Sequence, residues 1–300
     1  MVGPTGSGKS DLALAIAEEF NGEIVNCDSV QVFRYFDIGT AKLPAEERRG
    51  IPHHLIDVVN PDELFTAGEY ARRGRQAIEE ITGRGRLPVV AGGTGFYLRA
   101  LVDGLFEGPE RDQELRDRLA ARESRRPGSL HRLLRRFDGE AAARIHANDV
   151  PKVTRALEVC LLTRRPVTEL FRAGRGALRG YRTLKLGLLP DREQLYPRLG
   201  ERCARMFEAG LAEEVRGILA LGFGASAKPF ESVGYRQALQ LVHGELSPRD
   251  ALFYAQRATR QYAKRQTTWF RREPGLVWLR GFGEDPGIRE EALRRVREFI

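Results

Sequence analysis

Apolar residues recur at two different spacings in the first hundred positions, and the two spacings alternate along the chain. A helical spacing near the start predicts a helix that stops at an Asn-Gly pair. A capping box of Thr66 and Glu69 predicts a second helix through about Ile81, and a third is expected from about Phe96. The apolar face of the first helix consists of Leu12, Ala13, Ile16, Ala17 and Phe20.

Between these helices lie short stretches rich in apolar and β-branched residues. They are EIVNCD (23–28), HHLIDVV (53–59) and RLPVVAGGTG (86–95), the last of which ends in a glycine turn. Strands that alternate with helices are typical of a parallel sheet covered on both faces. The pattern therefore predicts an α/β fold with a P-loop NTPase-like parallel sheet.

From residue 109 to 180 the periodicity is only helical, with breaks at RRPGS (125–129) and at 172–180. We interpret this segment as an inserted all-helical domain, so that 1–108 and 181–300 form the catalytic core. RTLKLGLLP (182–190) is then a strand that returns to the sheet. Helices are expected at about 192–221, at about 233–243, and from Pro248 to about Arg271 behind a Ser247 cap. Only two residues precede Gly3, so no complete strand is expected before it.

Composition points to an ordinary soluble chain. Of 300 residues, 42% are hydrophobic and 30% are charged, and the longest uncharged stretch, Leu87 to Leu98, is about half of a membrane span. No secretory leader is apparent. The three cysteines, Cys27, Cys160 and Cys203, are widely spaced, which argues against a disulfide framework or a zinc site. We therefore expect a cytoplasmic protein with no membrane association.

The charge favours a polyanionic partner. The net charge is +8, and the region from Asp250 to Arg272 holds six basic residues and one acidic residue. Five aromatic residues are interleaved with these charges: Phe253, Tyr254, Tyr262, Trp269 and Phe270. Basic and aromatic side chains together are typical of nucleic-acid binding, although a solvated helix face remains the alternative.

The sequence GPTGSGKS at residues 3–10 is a phosphate-binding loop that leads into a helix. Its glycines allow successive N–H groups to point inward, and the helix N-terminus adds a favourable dipole. Lys9 supplies a positive charge, and the Ser10 hydroxyl can reach Mg²⁺. The predicted diphosphate or nucleotide site consists of Gly3, Pro4, Thr5, Gly6, Ser7, Gly8, Lys9 and Ser10.

Features of a nucleotide hydrolase are missing from the sequence. The strand at 87–91 runs into glycines instead of a Walker-B aspartate, and the guanine-reading motif Asn-Lys-x-Asp does not occur. The acid nearest the phosphates is expected to be Asp28, at the C-terminal end of its strand, where open α/β sheets bind ligands. Asp28 could hold a metal ion or act as a base on a second substrate.

The chain resembles the tRNA dimethylallyltransferases over essentially its whole length. The motifs that carry the resemblance are GPTGSGKS, NCDSVQVF, DIGTAK, PHHLIDV, GGTGFYLRAL, RALEV, VGYRQ and TRQYAKRQTTWFR, in that order. It implies transfer of a dimethylallyl group from dimethylallyl diphosphate to the exocyclic amine of adenosine 37 in tRNA. It also implies that the loop holds a prenyl diphosphate, with Mg²⁺, and not ATP.

The resemblance further implies roles for individual residues. Asp28 would be the base, Arg236 would bind the diphosphate, and Thr94 and Lys9 complete the expected catalytic set. The implied tRNA-binding residues near the sheet and in the insert are Asp28, Ser29, Val30, Gln31, Thr94, Arg116, Lys152 and Arg155. Those in the C-terminal part are Gly234, Tyr235, Arg236, Gln237, Arg257, Arg260, Lys264 and Arg265.

Three other functions were weighed against this one. A nucleoside or nucleotide kinase would also combine a P-loop with an acid and an inserted lid, but the aromatic and basic helix argues against it. Prenylation of free AMP would leave the helical insert unexplained. A non-catalytic RNA-binding protein would not need Asp28 opposite the phosphate loop. A monomeric enzyme acting on tRNA is the expected outcome.

Overall fold

The computed structural model describes residues 1–106, 108–172 and 176–300. Residues 107 and 173–175, which include part of the predicted break at 172–180, lie outside the described residues. The chain forms two compact units: Met1–Val102 with Gly180–Ile300, and Asp103–Arg179. No helix among the described residues is long and apolar enough to cross a bilayer.

The first half of the larger unit alternates helices and strands, as the apolar spacing predicts. Its elements are α1 (Lys9–Glu19), β1 (Gly22–Asn26), β2 (His53–His54), α2 (Ala67–Gly83), β3 (Leu87–Ala91) and α3 (Gly95–Val102). β1 lies between β2 and β3, and both pairings are parallel. All five residues of β1 are buried, including Glu23, whose carboxylate pairs with Arg84 and Arg86.

The second half of the unit adds two strands and five helices. They are β4 (Lys185–Leu188), α9 (Arg192–Glu208), α10 (Leu211–Ala220), α11 (Tyr235–Val242), α12 (Pro248–Phe270), β5 (Leu276–Leu279) and α13 (Pro286–Phe299). β4 pairs in parallel with β5. Ile24, Val89 and Leu188 form one core cluster with the apolar residues of α1 and α13, and α2 also packs against β1 and β3. The predicted P-loop-like α/β class is confirmed.

Val2 joins the two groups of strands. Its backbone makes isolated parallel bridges to Gly92 and to Gly187. Its N–H donates to Leu186 O at 2.9 Å, and its carbonyl accepts from Leu188 N at 2.9 Å. Met1 also pairs with the neighbouring strand, since its amine donates to Val90 O at 2.7 Å and its carbonyl accepts from Gly92 N at 3.2 Å, so Met1 and Val2 occupy the place of the central strand before the phosphate loop.

The smaller unit is helical, with no strand among its described residues. It contains α4 (Gln113–Arg125), α5 (Ser129–Phe137), α6 (Gly139–Arg144), α7 (Val150–Thr163) and α8 (Val167–Arg172). Its core includes Leu130, Leu134 and Leu157. Buried Asp138 caps α6 at Ala141 N (2.9 Å) and accepts from both the N–H and the hydroxyl of Thr168, which ties α6 to α8.

Two predicted elements differ from the structure. The strand expected over 53–59 ends after His54, because Leu55 and Asp57 adopt positive φ values of 61° and 56° that no strand accommodates. The helix expected over about 192–221 is two helices, because the chain turns at Gly210, whose φ is 96°. Residues from both helices line the cavity that is described in the next subsection.

Candidate functional site

The phosphate loop turns sharply into α1. Gly8 precedes the helix at φ 80°, and a Cβ there would lie 2.1 Å from Glu284 Oε2 and 2.7 Å from Gly283 N, so only glycine fits. Lys9 Nζ donates to Pro4 O at 2.7 Å, which folds the side chain back over the loop. Burial and, to a smaller extent, the Arg202 guanidinium lower the pKa of Lys9 to about 8. The helix N-terminus and the ammonium together form an anion site.

Two cavities of about 310 Å³ each lie in the larger unit. The first, called here the loop cavity, is lined by the P-loop residues Thr5, Gly6, Gly8, Lys9 and Ser10. The second, called here the helix cavity, is lined mainly by α9–α12 and by the turn after β1. Five residues line both cavities, and so form the place where they meet: Thr5, Asp28, Thr40, Arg202 and Tyr262. The other three residues of the loop, Gly3, Pro4 and Ser7, are buried and line neither cavity.

Asp28 follows β1 and sits at this junction. Its Oδ1 accepts from Val30 N at 2.8 Å and from Gln31 N at 3.2 Å, so that the turn after the strand fixes the carboxylate. No hydrogen bond to Oδ2 appears among the described residues. One oxygen therefore holds the turn, and the other is available to a molecule in the cavities.

Thr94 follows β3, the neighbouring strand, and is hydrogen-bonded to the same turn. Its Oγ1 accepts from Ser29 N at 3.0 Å and donates to Ser29 Oγ at 3.3 Å, and its own N–H donates to Cys27 O at 3.1 Å. Parallel strands end at the same edge of a sheet, which explains why two motifs 66 positions apart meet here. Ser29 and Val30 line the helix cavity, and Gln31 lines the loop cavity.

Helix α9 contributes an arginine that sequence reasoning missed. Arg202 donates through one of its Nη atoms to Thr5 Oγ1 at 3.2 Å, and burial lowers the pKa of this guanidinium while Asp28 raises it. Arg198 and Arg205, one turn away on either side, also line the loop cavity. The 4- and 3-residue spacing of these arginines was the signal that could have found them.

Helix α12 places two side chains on the same face one turn apart. Tyr262 lines both cavities, and burial together with the nearby Asp28 raises the pKa of its phenol well above the usual range. Gln266, four residues later, is buried. Its Oε1 accepts from Thr5 N at 2.8 Å, and its Nε2 donates to Gly93 O at 3.0 Å. One amide thereby connects the P-loop to the turn that carries Thr94.

Several predicted residues of the VGYRQ motif lie elsewhere than expected. Arg236 is exposed and lines neither cavity, and its role as a diphosphate ligand stays a prediction. The side chain of Tyr235 is fully buried and Gln237 is 9% exposed, accepting from Gly234 N at 3.0 Å. Both side chains pack inside the protein, and their predicted contact with tRNA is untested. Of this motif, Val233 and Gly234 line the helix cavity.

The predicted tRNA-binding residues of α12, called here the basic stripe, lie mostly at the surface. Arg257, Lys264 and Arg265 are exposed, and Arg260 is half-buried. Arg265 also lines the helix cavity, and its guanidinium lies 5.7 Å from the ring centre of Tyr262. The stripe therefore continues from the surface to the cavity wall, while its contact with tRNA stays a prediction.

The predicted tRNA-binding residues of the smaller unit are paired within that unit. Arg116 makes two bonds of 2.7 Å to buried Glu158, and Arg155 bonds to Glu158 at 2.5 Å and to Pro109 O at 3.0 Å. Lys152 pairs with Asp149 in the first turn of α7. Burial alone would raise the pKa of Glu158, yet the hydrogen bonds from the two arginines hold it at about 2. These arginines stabilise the helical unit, and their predicted role in tRNA binding is untested.

The fold and the site define a class of protein: a P-loop α/β protein in which a half-buried lysine and a half-buried arginine line a cavity together with an aspartate. The family model described as IPP transferase matches residues 31–273. The chain belongs to this family of transferases. It is 74% identical over 100% of its length to a tRNA dimethylallyltransferase of Solibacter usitatus, 98% of which is covered. It is 56% identical over 99% of its length to that of Koribacter versatilis, 97% of which is covered.

Solved structures agree with this assignment. The full-length tRNA isopentenylpyrophosphate transferase of Bacillus halodurans superimposes with a TM-score of 0.72 at 34% identity, over 99% of this chain and 93% of that one. A eukaryotic dimethylallyltransferase acting on tRNA superimposes with a TM-score of 0.86 at 30% identity, over 99% of this chain and 78% of that one. The family resemblance of the sequence is confirmed.

Proposed function

We propose that this transferase moves a dimethylallyl group from dimethylallyl diphosphate to the exocyclic amine of adenosine 37 in tRNA. The observation that carries the proposal is the position of Asp28, where a cavity with a phosphate loop meets a second cavity. A donor and an acceptor entering from the two cavities would meet at its carboxylate. The close relatives named as tRNA dimethylallyltransferases support this choice of reaction.

The proposed chemistry assigns one task to each side chain. In the reaction the bond between the allylic carbon and the diphosphate oxygen breaks, and a bond from the adenine nitrogen to that carbon forms. The adenine amine is a weak nucleophile because its lone pair is delocalised into the ring, so Asp28 takes the proton that it releases. Lys9 and Arg202 stabilise the negative charge on the departing diphosphate. The products are the prenylated adenosine, diphosphate and one proton.

Mg²⁺ fits the residues at the phosphate loop. Ser10 is exposed in the first turn of α1 and lines the loop cavity, which also holds the carboxylates of Asp11 and Asp28. Among the described residues there is no cluster of three or more side chains suited to hold a metal by themselves. Mg²⁺ commonly uses one or two protein oxygens together with water and phosphate oxygens. Ser10 would hold the ion, which would neutralise part of the diphosphate charge.

The buried cysteines and the two cavities also bear on the compartment and the oligomeric state that we propose for the enzyme. All three cysteines are buried free thiols, which is compatible with a reducing compartment. The proposal is a cytoplasmic monomer that binds tRNA through α12. Both cavities are lined by residues of a single chain, which supports the monomer.

The test is transfer of radiolabel from dimethylallyl diphosphate in three parallel reactions, with unmodified tRNA, with AMP, and with no acceptor. We expect label in tRNA and none in AMP, and nuclease digestion should place the label on a single adenosine. Label in AMP would instead favour prenylation of the free nucleotide. Absence of label with both acceptors, alongside phosphate transfer from ATP to a nucleoside, would favour the kinase.

A further inference from the structure

A half-buried carboxylate on α10 holds a loop that forms part of the helix cavity. Glu214 Oε2 accepts from Ile38 N at 2.8 Å and from Asp37 N at 3.2 Å. Its Oε1 accepts from the hydroxyl of Tyr235, at the start of α11. The Tyr235 oxygen in turn accepts from Gly39 N at 3.0 Å. Three consecutive backbone N–H groups are thereby bound by one Glu-Tyr pair.

The same loop fits closely around the Tyr235 ring. A Cβ at position 39 would lie 2.4 Å from the ring, so the close approach requires glycine. Phe36 packs on the opposite side, with its ring centre 4.7 Å from that of Tyr235. The side chain of Tyr235 is fully buried. Packing and hydrogen bonds therefore fix the loop at one place relative to α10 and α11.

Hydrogen bonds continue from this loop to Asp28. Gln31 Nε2 donates to Thr40 O at 3.1 Å, and Gln31 N donates to Asp28 Oδ1 at 3.2 Å. Gly39 and Thr40 themselves line the helix cavity. A shift of the loop would therefore move both a wall of the cavity and one of the two donors that orient the Asp28 carboxylate.

We propose that Glu214 and Tyr235 are positioning residues for the transfer: they fix residues 37–40 and, through Gln31, the direction of the Asp28 carboxylate. The inference rests on the proposed function only in taking Asp28 as the base. It assigns these two side chains no contact with either substrate. Their removal should therefore have a larger effect on the rate of transfer than on the affinity for the donor, because the P-loop binds the donor.

Two substitutions test the proposal. Tyr235→Phe keeps the ring and removes the hydroxyl that joins Glu214 to Gly39. Glu214→Gln keeps one oxygen for the backbone N–H groups but replaces the acceptor of the Tyr235 hydroxyl with a donor. The matched control is Glu213→Gln, because the neighbouring carboxylate is exposed and pairs with Arg216 at the surface.

The measurements are single-turnover transfer to tRNA, KM for dimethylallyl diphosphate, and hydrogen exchange of the amides of residues 37–39. Losing one or two net hydrogen bonds of about 1 kcal/mol each predicts a rate that falls roughly 5- to 30-fold. KM for the donor should change less than about twofold, and the three amides should exchange faster. Glu213→Gln should match the wild type in all three measurements.

The outcomes separate this inference from the proposed function. Faster exchange with an unchanged transfer rate would show that the pair only stabilises the fold, and would overturn the positioning role. An equal rise in donor KM would do the same, since it would indicate general disruption of the site. Wild-type protein that transfers nothing to tRNA would instead contradict the proposed function itself. If Tyr235→Phe does not fold, Glu214→Gln alone decides, because it keeps the ring packing.

Discussion

Replacing Asp28 with asparagine changes the chemistry of the site with little change in its shape. Oδ1 of aspartate accepts from Val30 N and Gln31 N, and the amide oxygen of asparagine can accept the same two bonds. The second carboxylate oxygen becomes an NH₂ group, which donates and cannot take a proton. The turn after β1 should therefore stay folded while the proposed base is lost.

The size of the effect follows from this geometry. A positioned base contributes about 10² to 10⁴ in rate, or roughly 2.7 to 5.5 kcal/mol of activation free energy. The charge of Asp28 also raises the pKa of Lys9, which is about 8 in the wild type. Asp28→Asn therefore lowers the pKa of Lys9, and part of its charge would be lost near neutral pH. Saturating diphosphate restores that proton, because a bound anion raises the pKa of a neighbouring ammonium.

The assay is single-turnover transfer at saturating diphosphate and tRNA across a series of Mg²⁺ concentrations. We expect a rate 10²- to 10⁴-fold below wild type at every concentration, with nearly unchanged affinity for both substrates, as for an interaction made mainly in the transition state. Asp191→Asn is the control, because Asp191 is exposed and lines neither cavity. Near-normal transfer by Asp28→Asn, or recovery with added Mg²⁺, would refute the role of Asp28 as a base.

Three further predictions concern binding and stability. Lys9→Ala should abolish transfer while tRNA affinity, measured by filter binding, stays within about twofold. Since the folded pKa of Lys9 is about 8, the affinity of the wild type for a non-reactive thiolo analogue of the donor should fall as pH rises above 8. An affinity for the analogue that does not change with pH would contradict this. Neutralising Lys264 and Arg265 should reduce the slope of log tRNA affinity against log salt concentration by roughly 0.7 to 0.9 for each lost phosphate contact. An unchanged slope would show that these side chains do not contact tRNA phosphates. Glu158→Ala should destabilise the helical unit by about 1 to 3 kcal/mol in urea melts, because it leaves Arg116 and Arg155 without their shared partner while both remain partly solvated. Because its pKa is lowered to about 2, the stability that Glu158 contributes is present above its ordinary value of 4.5 and should be lost as pH falls towards 2, a loss that Glu158→Ala should not show.

Local patterns were enough to predict most of the fold. The spacing of apolar residues predicted α1, β1, α2, β3 and the long helix α12, because their signals lie within a few turns of the chain. The strand predicted over 53–59 begins at His53 as expected, but its end after His54 could not be predicted, since positive φ values at Leu55 and Asp57 end it without a glycine in the sequence. Val2 pairs with both neighbouring strands through its backbone alone, and no side-chain pattern records that.

The site was predictable where a motif binds through its own backbone, and less so where distant side chains converge. Lys9 and Asp28 lie at the ends of local elements, which is why the sequence placed them near each other. Arg202 was missed because its spacing from Arg198 and Arg205 indicates only a shared helix face, and the packing of α9 against the P-loop is what brings that face to the cavity. Tyr235 was assigned to a surface because its burial depends on the loop around Gly39, more than 190 positions away.

The buried amide of Gln266 ties together the two regions that hold different substrates in the proposed reaction. It binds Thr5 N in the phosphate loop and Gly93 O beside Thr94. If the phosphate loop moves when a donor binds, Gln266 would carry that movement to the turn beside Thr94. Thermodynamic reciprocity then requires that any gain in tRNA affinity caused by the donor be matched by an equal gain in donor affinity caused by tRNA. One side-chain amide would make the two substrates heterotropic effectors of each other.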